Sequence, residues 1–130
     1  MALDSITRPT LVVDRGRAER NIARMAAKAA ASGTRFRPHV KTHQSPSIAA
    51  GYRAAGVDAI TVSSVAMAER FAEHGWTDIT VAFPFNPREA VALGRLVGQG
   101  IRIGLLVDSA EALRRLDASG LEADTWIEVP

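Results

Sequence analysis

The sequence contains no cysteine. Disulfides and thiolate metal sites are thereby excluded, and a reducing cytoplasm is the expected setting. Aromatic residues make up only 5% of the chain, so its core must be built from aliphatic side chains. There is no long run of like charge. The formal charge is +2 and the arginines are spread along the chain, too diffuse to argue for a nucleic-acid partner. No apolar stretch approaches the roughly 20 residues that span a bilayer. Met1-Ala2-Leu3-Asp4-Ser5 has no basic segment followed by an apolar run, so neither a signal peptide nor a membrane partner is expected. Two phosphate-binding signatures are also missing. No Gly-x-Gly-x-x-Gly follows the first strand, and no Gly-x-x-x-x-Gly-Lys occurs anywhere, which argues against a dinucleotide fold and a nucleoside-triphosphate cradle.

What remains is 47% hydrophobic over 130 residues, enough for one modest core. Its pattern alternates strand and helix. Thr10–Asp14 reads as a strand, with Asp14 capping a helix whose apolar stripe is Ala18, Ile22, Met25, Ala26 and Ala29 and which stops at Ser32-Gly33. Phe36–His43 reads as a strand ending in a lysine. Ser45-Pro46 starts a helix through Ile48, Ala49 and Tyr52 to Gly56. Ala59–Val62 is a strand, followed by a helix carrying Ala66, Met67 and Phe71. Ile79–Phe83 is the next strand. Asn86-Pro87-Arg88-Glu89 then combines a cap, a first-turn proline and a capping-box glutamate ahead of a helix with Val91, Leu93, Leu96 and Val97. Ile101–Val107 is nearly all apolar. Asp108 and Glu111 have capping-box spacing before a helix through Leu113 and Leu116 to Gly120, and Thr125–Val129 is a last strand.

Strands recur roughly every 20 to 23 residues, the length of a βα unit, so the sheet should be parallel with right-handed crossovers. Two architectures fit that pattern: an open doubly wound sheet, or the first half of an eight-stranded barrel, which needs about 250 residues when complete. The pattern alone does not choose between them.

Arg37-Pro38-His39-Val40-Lys41-Thr42-His43 is the stretch around which the chain is organised. A lysine at the carboxyl end of a barrel strand stands where such folds do chemistry. By residue type alone, a solvated strand-end lysine is the commoner occurrence. The stretch, however, resembles the lysine motif of D-threonine aldolases and eukaryotic-type D-serine dehydratases, pyridoxal-phosphate enzymes with the alanine-racemase type of barrel. Arg8–Asp14 is similar to that family's opening strand and Glu19-Arg20-Asn21-Ile22 to its first helix. Ile60–Ser64 with Ala68-Glu69, Thr77-Asp78-Ile79 and Val107-Asp108-Ser109 resemble its later units.

The resemblance implies an α/β fold: a partial (β/α)8 barrel of four βα units plus a fifth strand, preceded by an N-terminal strand and helix. It implies a lyase acting on small D-amino acids, by retro-aldol cleavage or by loss of water. Lys41 would hold pyridoxal 5'-phosphate as a Schiff base and later serve as acid or base near the substrate α-carbon. Strand alternation puts Arg37, His39 and Lys41 on one side, which makes His39 a candidate second wall of the cofactor site. Phe83, at a strand end, is a candidate partner for the pyridine ring. A satisfied core histidine and a plain core aromatic are the competing readings of these two residues.

The family's divalent-metal ligands, its phosphate-binding glycines and its C-terminal β domain lie beyond the matching part, so no metal ligand is assigned here. His39 and His43 are four apart, but on a strand and its loop that spacing does not make a metal site. Two departures stand out: Gln44 replaces a usual lysine, and Ile127-Glu128-Val129 meets Pro130 where the family continues into an aspartate and a glycine-rich turn with an arginine. Two other outcomes are an amino-acid racemase on the same barrel and a truncated, inactive barrel piece. An unclosed parallel sheet leaves edges and apolar surface that a second copy, or the missing half, would cover.

Overall fold

The computed structural model describes residues 3–128. Its sheet has four strands, β1 (Ile60–Val62), β2 (Asp78–Pro84), β3 (Arg102–Val107) and β4 (Asp124–Ile127). They are arranged in sequence order and every pairing is parallel. Five helices accompany them: α1 (Arg15–Ala31), α2 (Pro46–Ala54), α3 (Val65–Glu73), α4 (Ala90–Gly98) and α5 (Ala110–Ala118).

That order decides between the two architectures. A doubly wound sheet must reverse its direction of growth to place helices on both faces. Growth in one direction with crossovers of one hand puts every helix on the same face, as in a barrel wall. Burial agrees. Ile60, Val62, Ile79, Val81, Ile103, Leu105 and Val107 share one face and are buried, packed with Ala68 and Phe71 of α3, Leu93 and Leu96 of α4 and Leu116 of α5. The other face carries Thr61, Thr80, Gly104, Leu106 and Trp126, with Trp126 52% exposed. The protein is a partial parallel α/β barrel.

Helix starts follow local chemistry. The side chains of Asp14, Ser45 and Ser64 accept hydrogen bonds from the backbone N–H groups of Arg17, Ile48 and Met67. Gly56, Gly75, Gly100 and Gly120 follow α2 to α5 with positive φ, the conformation that lets a helix turn back toward the next strand.

The structure corrects several expectations. Thr10–Val13 is not a strand; it forms no regular element and is exposed, with Leu11 83% accessible, because no neighbouring strand among the described residues offers it a ladder. In α1 only Ile22 is buried, against Gly51 of α2, where an added Cβ would stand 3.2 Å from Ile22 Cδ1. Met25 is exposed because α1 packs on α2 and not on the sheet. Val91 and Leu113 likewise fall on the solvent side of their helices. Asp108 does not cap α5. Ser109 does, accepting from the Ala112 N–H, while Glu111 pairs with Arg114 and Arg115. Asn86-Pro87-Arg88-Glu89 forms a single 3-10 turn ahead of α4 rather than its first helical turn. Val129 and Pro130 lie outside the described residues.

Candidate functional site

The lysine segment departs from its expected form. Residues 34–38 form no regular element, and among the segment's residues only His39 pairs with the sheet, through one parallel bridge to Thr61. The Thr61 N–H donates to the Pro38 carbonyl at 2.9 Å. Beyond it the chain turns: Val40–Thr42 is a 3-10 turn. Alternation therefore holds for Arg37 and His39 and breaks before Lys41. The sequence, rich in β-formers here, gave no sign of the turn, which a histidine ring and a buried valine hold. His39 Nδ1 accepts the Lys41 N–H at 3.3 Å, and the Val40 carbonyl accepts the Gln44 N–H at 2.9 Å. Val40 is wholly buried and pins the turn. Gln44 closes it at φ 48°, in the left-handed region that a non-glycine residue adopts at a cost.

Lys41 is exposed at the end of this segment, next to the carboxyl end of β1. Among the described residues no hydrogen bond or ion pair engages its ammonium. His39 shares the register row of Thr61, on the inner side of the wall. Partial burial pushes its imidazole below the ordinary histidine range, and the charge of Lys41 pushes it further the same way. Lys41 follows His39 by two residues, its backbone N–H on the His39 ring. His43 is also held down by burial. Its Nδ1 accepts the Ser45 N–H at 3.0 Å, its ring stacks on Tyr52, and its Nε2 is buried without a partner. Both Nδ1 atoms are therefore committed to backbone amides, and no group of three candidate metal ligands occurs among the described residues.

Phe83 sits near the carboxyl end of β2, at a register irregularity between Val81 and Pro84, and is 63% exposed. With Ser63, Ser64, Phe85, Asn86 and Glu89 it lines a cavity of about 190 Å³ between the ends of β1 and β2. Lys41 and His39 do not line that cavity. The structure thus brings Lys41 and His39 together and leaves Phe83 on a separate part of the same rim.

The inner row His39, Thr61, Thr80 and Gly104 was not legible beforehand, since it depends on strand register. Nor was the cluster at the opposite, amino-terminal end of the strands. There Asp78, 9% exposed, accepts from Arg37 Nη1 at 2.6 Å and from Arg35 Nη2 at 2.8 Å, and Arg102 Nη1 stands 3.9 Å away. Burial works to raise the Asp78 carboxyl, but the hydrogen bonds from Arg37 and Arg35 outweigh it and hold the group below the usual carboxylate range.

A primary amine free of ion pairs among the described residues, beside an imidazole whose protonation is disfavoured by burial, is suited to condense with a carbonyl compound and to exchange protons. Known proteins carry the same arrangement of elements. The D-threo-3-hydroxyaspartate dehydratase of Delftia sp. (strain HT23) is 42% identical over 125 residues, covering 93% of this chain and 33% of that protein. The D-threonine aldolase of Arthrobacter sp. is 30% identical over 128 residues, covering 98% and 34%. Among solved structures, the Delftia dehydratase superposes with a TM-score of 0.88 at 39% identity, over 95% of this chain and 34% of that one. The D-threonine aldolase from Filomicrobium marinum gives 0.87 at 28% identity, over 98% and 36%. The chain spans about a third of the length of the relatives it matches. The model of the alanine racemase N-terminal domain matches residues 13–129, and the chain belongs to that family.

Proposed function

We propose that this chain forms the lysine-bearing part of a pyridoxal-phosphate-dependent lyase acting on D-amino acids with a hydroxyl on the β-carbon. The observation that carries the reading is the uncommitted Lys41 amine, set in a tight turn next to the carboxyl end of β1. Relatives named as a dehydratase and as aldolases of 3-hydroxy D-amino acids support the substrate class.

Lys41 would hold the cofactor covalently. His39 would flank it as a wall, and Phe83 would offer an aromatic face from the neighbouring rim. The residues present fit such a group at its reactive end: among the described residues nothing engages the amine, and the burial of the adjacent ring disfavours a competing positive charge there. When bound, the cofactor supplies an electron sink for the bond broken at the substrate α-carbon. Lys41 Nζ would be the group of this chain that takes or returns a proton there. His39 keeps its Nδ1 on the Lys41 amide and so fixes the turn from which Nζ extends.

A second reading is favoured by β4, where Trp126 and Ile127 are exposed on a strand paired along only one side. On that reading the chain associates, with a second copy or with a longer remainder, and has no turnover alone.

One experiment addresses the first reading. The chain is incubated with pyridoxal phosphate, reduced with borohydride, and the adduct mapped by mass spectrometry. Lys28 on α1 is the sole other lysine, and it is exposed, so it serves as an internal control. Preferential labelling of Lys41 supports the reading; equal labelling of the two lysines, or none, removes it.

A further inference from the structure

We infer that Asp78 is a positioning residue for Lys41, acting from the far end of the wall through Arg37. The lysine segment lacks a ladder of its own, since one bridge at His39 is its pairing with β1. What holds it below that bridge is side-chain chemistry. Arg37 reaches across β1, donating to the Ile60 carbonyl at 3.4 Å and to Asp78 Oδ1 on β2 at 2.6 Å. Arg35, from the same segment, donates to Asp78 Oδ2 at 2.8 Å.

The choice of partners is informative. The residue directly opposite Asp78 in the β2–β3 register is Arg102. Arg102 nevertheless gives its short contact, 2.7 Å, to Asp124 and stands 3.9 Å from Asp78. A carboxylate serving the sheet alone would take its immediate neighbour. Asp78 instead takes two arginines from a segment beyond β1, the segment that leads four residues later to Lys41. Asp78 and Arg37 are both largely shielded from water, which makes this contact less exchangeable than a surface pair. Asp78 and Arg37 thus set the height at which the 3-10 turn leaves the wall. The structural claim stands without any cofactor; its chemical consequence rests on the reading of Lys41 given above.

The test uses the whole chain with Asp78→Asn, and with Arg37→Gln as the milder change that leaves Asp78 its bond to Arg35. Hydrogen exchange reads the Thr61 amide, bonded to Pro38, and the Gln44 amide, bonded to Val40, against amides of the β2–β3 ladder. Expected is a loss of protection of about tenfold at Thr61 and Gln44 with the ladder nearly unchanged, and a smaller loss of the same pattern in Arg37→Gln. The borohydride labelling ratio of Lys41 to Lys28 should fall toward one in both variants. Protection lost equally at the ladder in both variants, or retained at Thr61 and Gln44, overturns the proposal. A wild-type chain with no preference for Lys41 removes the cofactor reading but leaves the exchange result to decide positioning on its own.

Discussion

Gly104 offers a sharp test of the inner wall. It lies on β3 opposite Thr80, and a Cβ built there would stand 2.7 Å from Thr80 Oγ1, 3.3 Å from Thr80 Cβ and 3.0 Å from Trp126 Nε1. The half-exposed Trp126 can swing away. Thr80 is buried and β-branched: one alternative rotamer puts its methyl into the same space, the other must fit hydroxyl and methyl elsewhere in a closed site, and neither moves its Cβ. Gly104→Ala should therefore cost about 1–3 kcal/mol in overpacking, offset by the ~0.4–1 kcal/mol gained from a stiffer unfolded chain. With both effects near the middle of their ranges the net loss is about 1.3 kcal/mol, which lowers the melting temperature by roughly 4–8 °C in a domain of this size.

Gly98→Ala at the end of α4 is the matched control, because an added Cβ there meets nothing within 4 Å. It should leave the melting temperature level or raise it. The assay is thermal unfolding followed by circular dichroism, with tryptophan fluorescence reporting the displaced indole of Trp126. Thr80→Ser in the Gly104→Ala background should recover part of the loss, since serine can rotate its hydroxyl without substituting a methyl. Gly104→Ala melting at or above the parent, or the two glycine variants shifting alike, would refute this account of the wall.

Two further outcomes follow from caps and charges. Ser64→Ala removes the acceptor for the Met67 N–H and should destabilise by about 0.5–2 kcal/mol in urea unfolding, whereas Ser63→Ala should stay within about 0.5 kcal/mol. Asp78 has a depressed folded pKa, so its contribution is complete above the ordinary aspartate range near 3.8 and is lost as pH falls through the folded value. Asp78→Asn should therefore flatten the acid limb of a stability–pH curve while lowering its plateau. His39 and His43 act in a higher window. Burial lowers both, so stability is full above about pH 6.5 and declines as the medium acidifies toward their folded values. A His43→Phe chain, which keeps the stacking on Tyr52, should show a shallower decline across that window.

The order of helices and strands from α2 to β4 was readable from the chain because it rests on local causes. Asp14 and Ser45 sit where a carboxylate or hydroxyl caps a helix, and the apolar period on each strand comes from residues two apart. The lysine motif was readable for another reason: its resemblance to a known family lies in seven consecutive residues, Arg37 to His43. What tertiary structure decided is whatever depends on which segments lie side by side. Thr10–Val13 has the composition of a strand and is none, because a strand requires a neighbour that the described residues do not provide. Val40–Thr42 turns although its residues favour extension, because a histidine ring and a buried valine hold it. Asp78 finds Arg35 and Arg37 more than 40 residues away in the chain, a distance no local pattern spans. Composition and periodicity settle what each segment prefers; only the register of neighbouring strands settles which preferences are met and which side chains share a face.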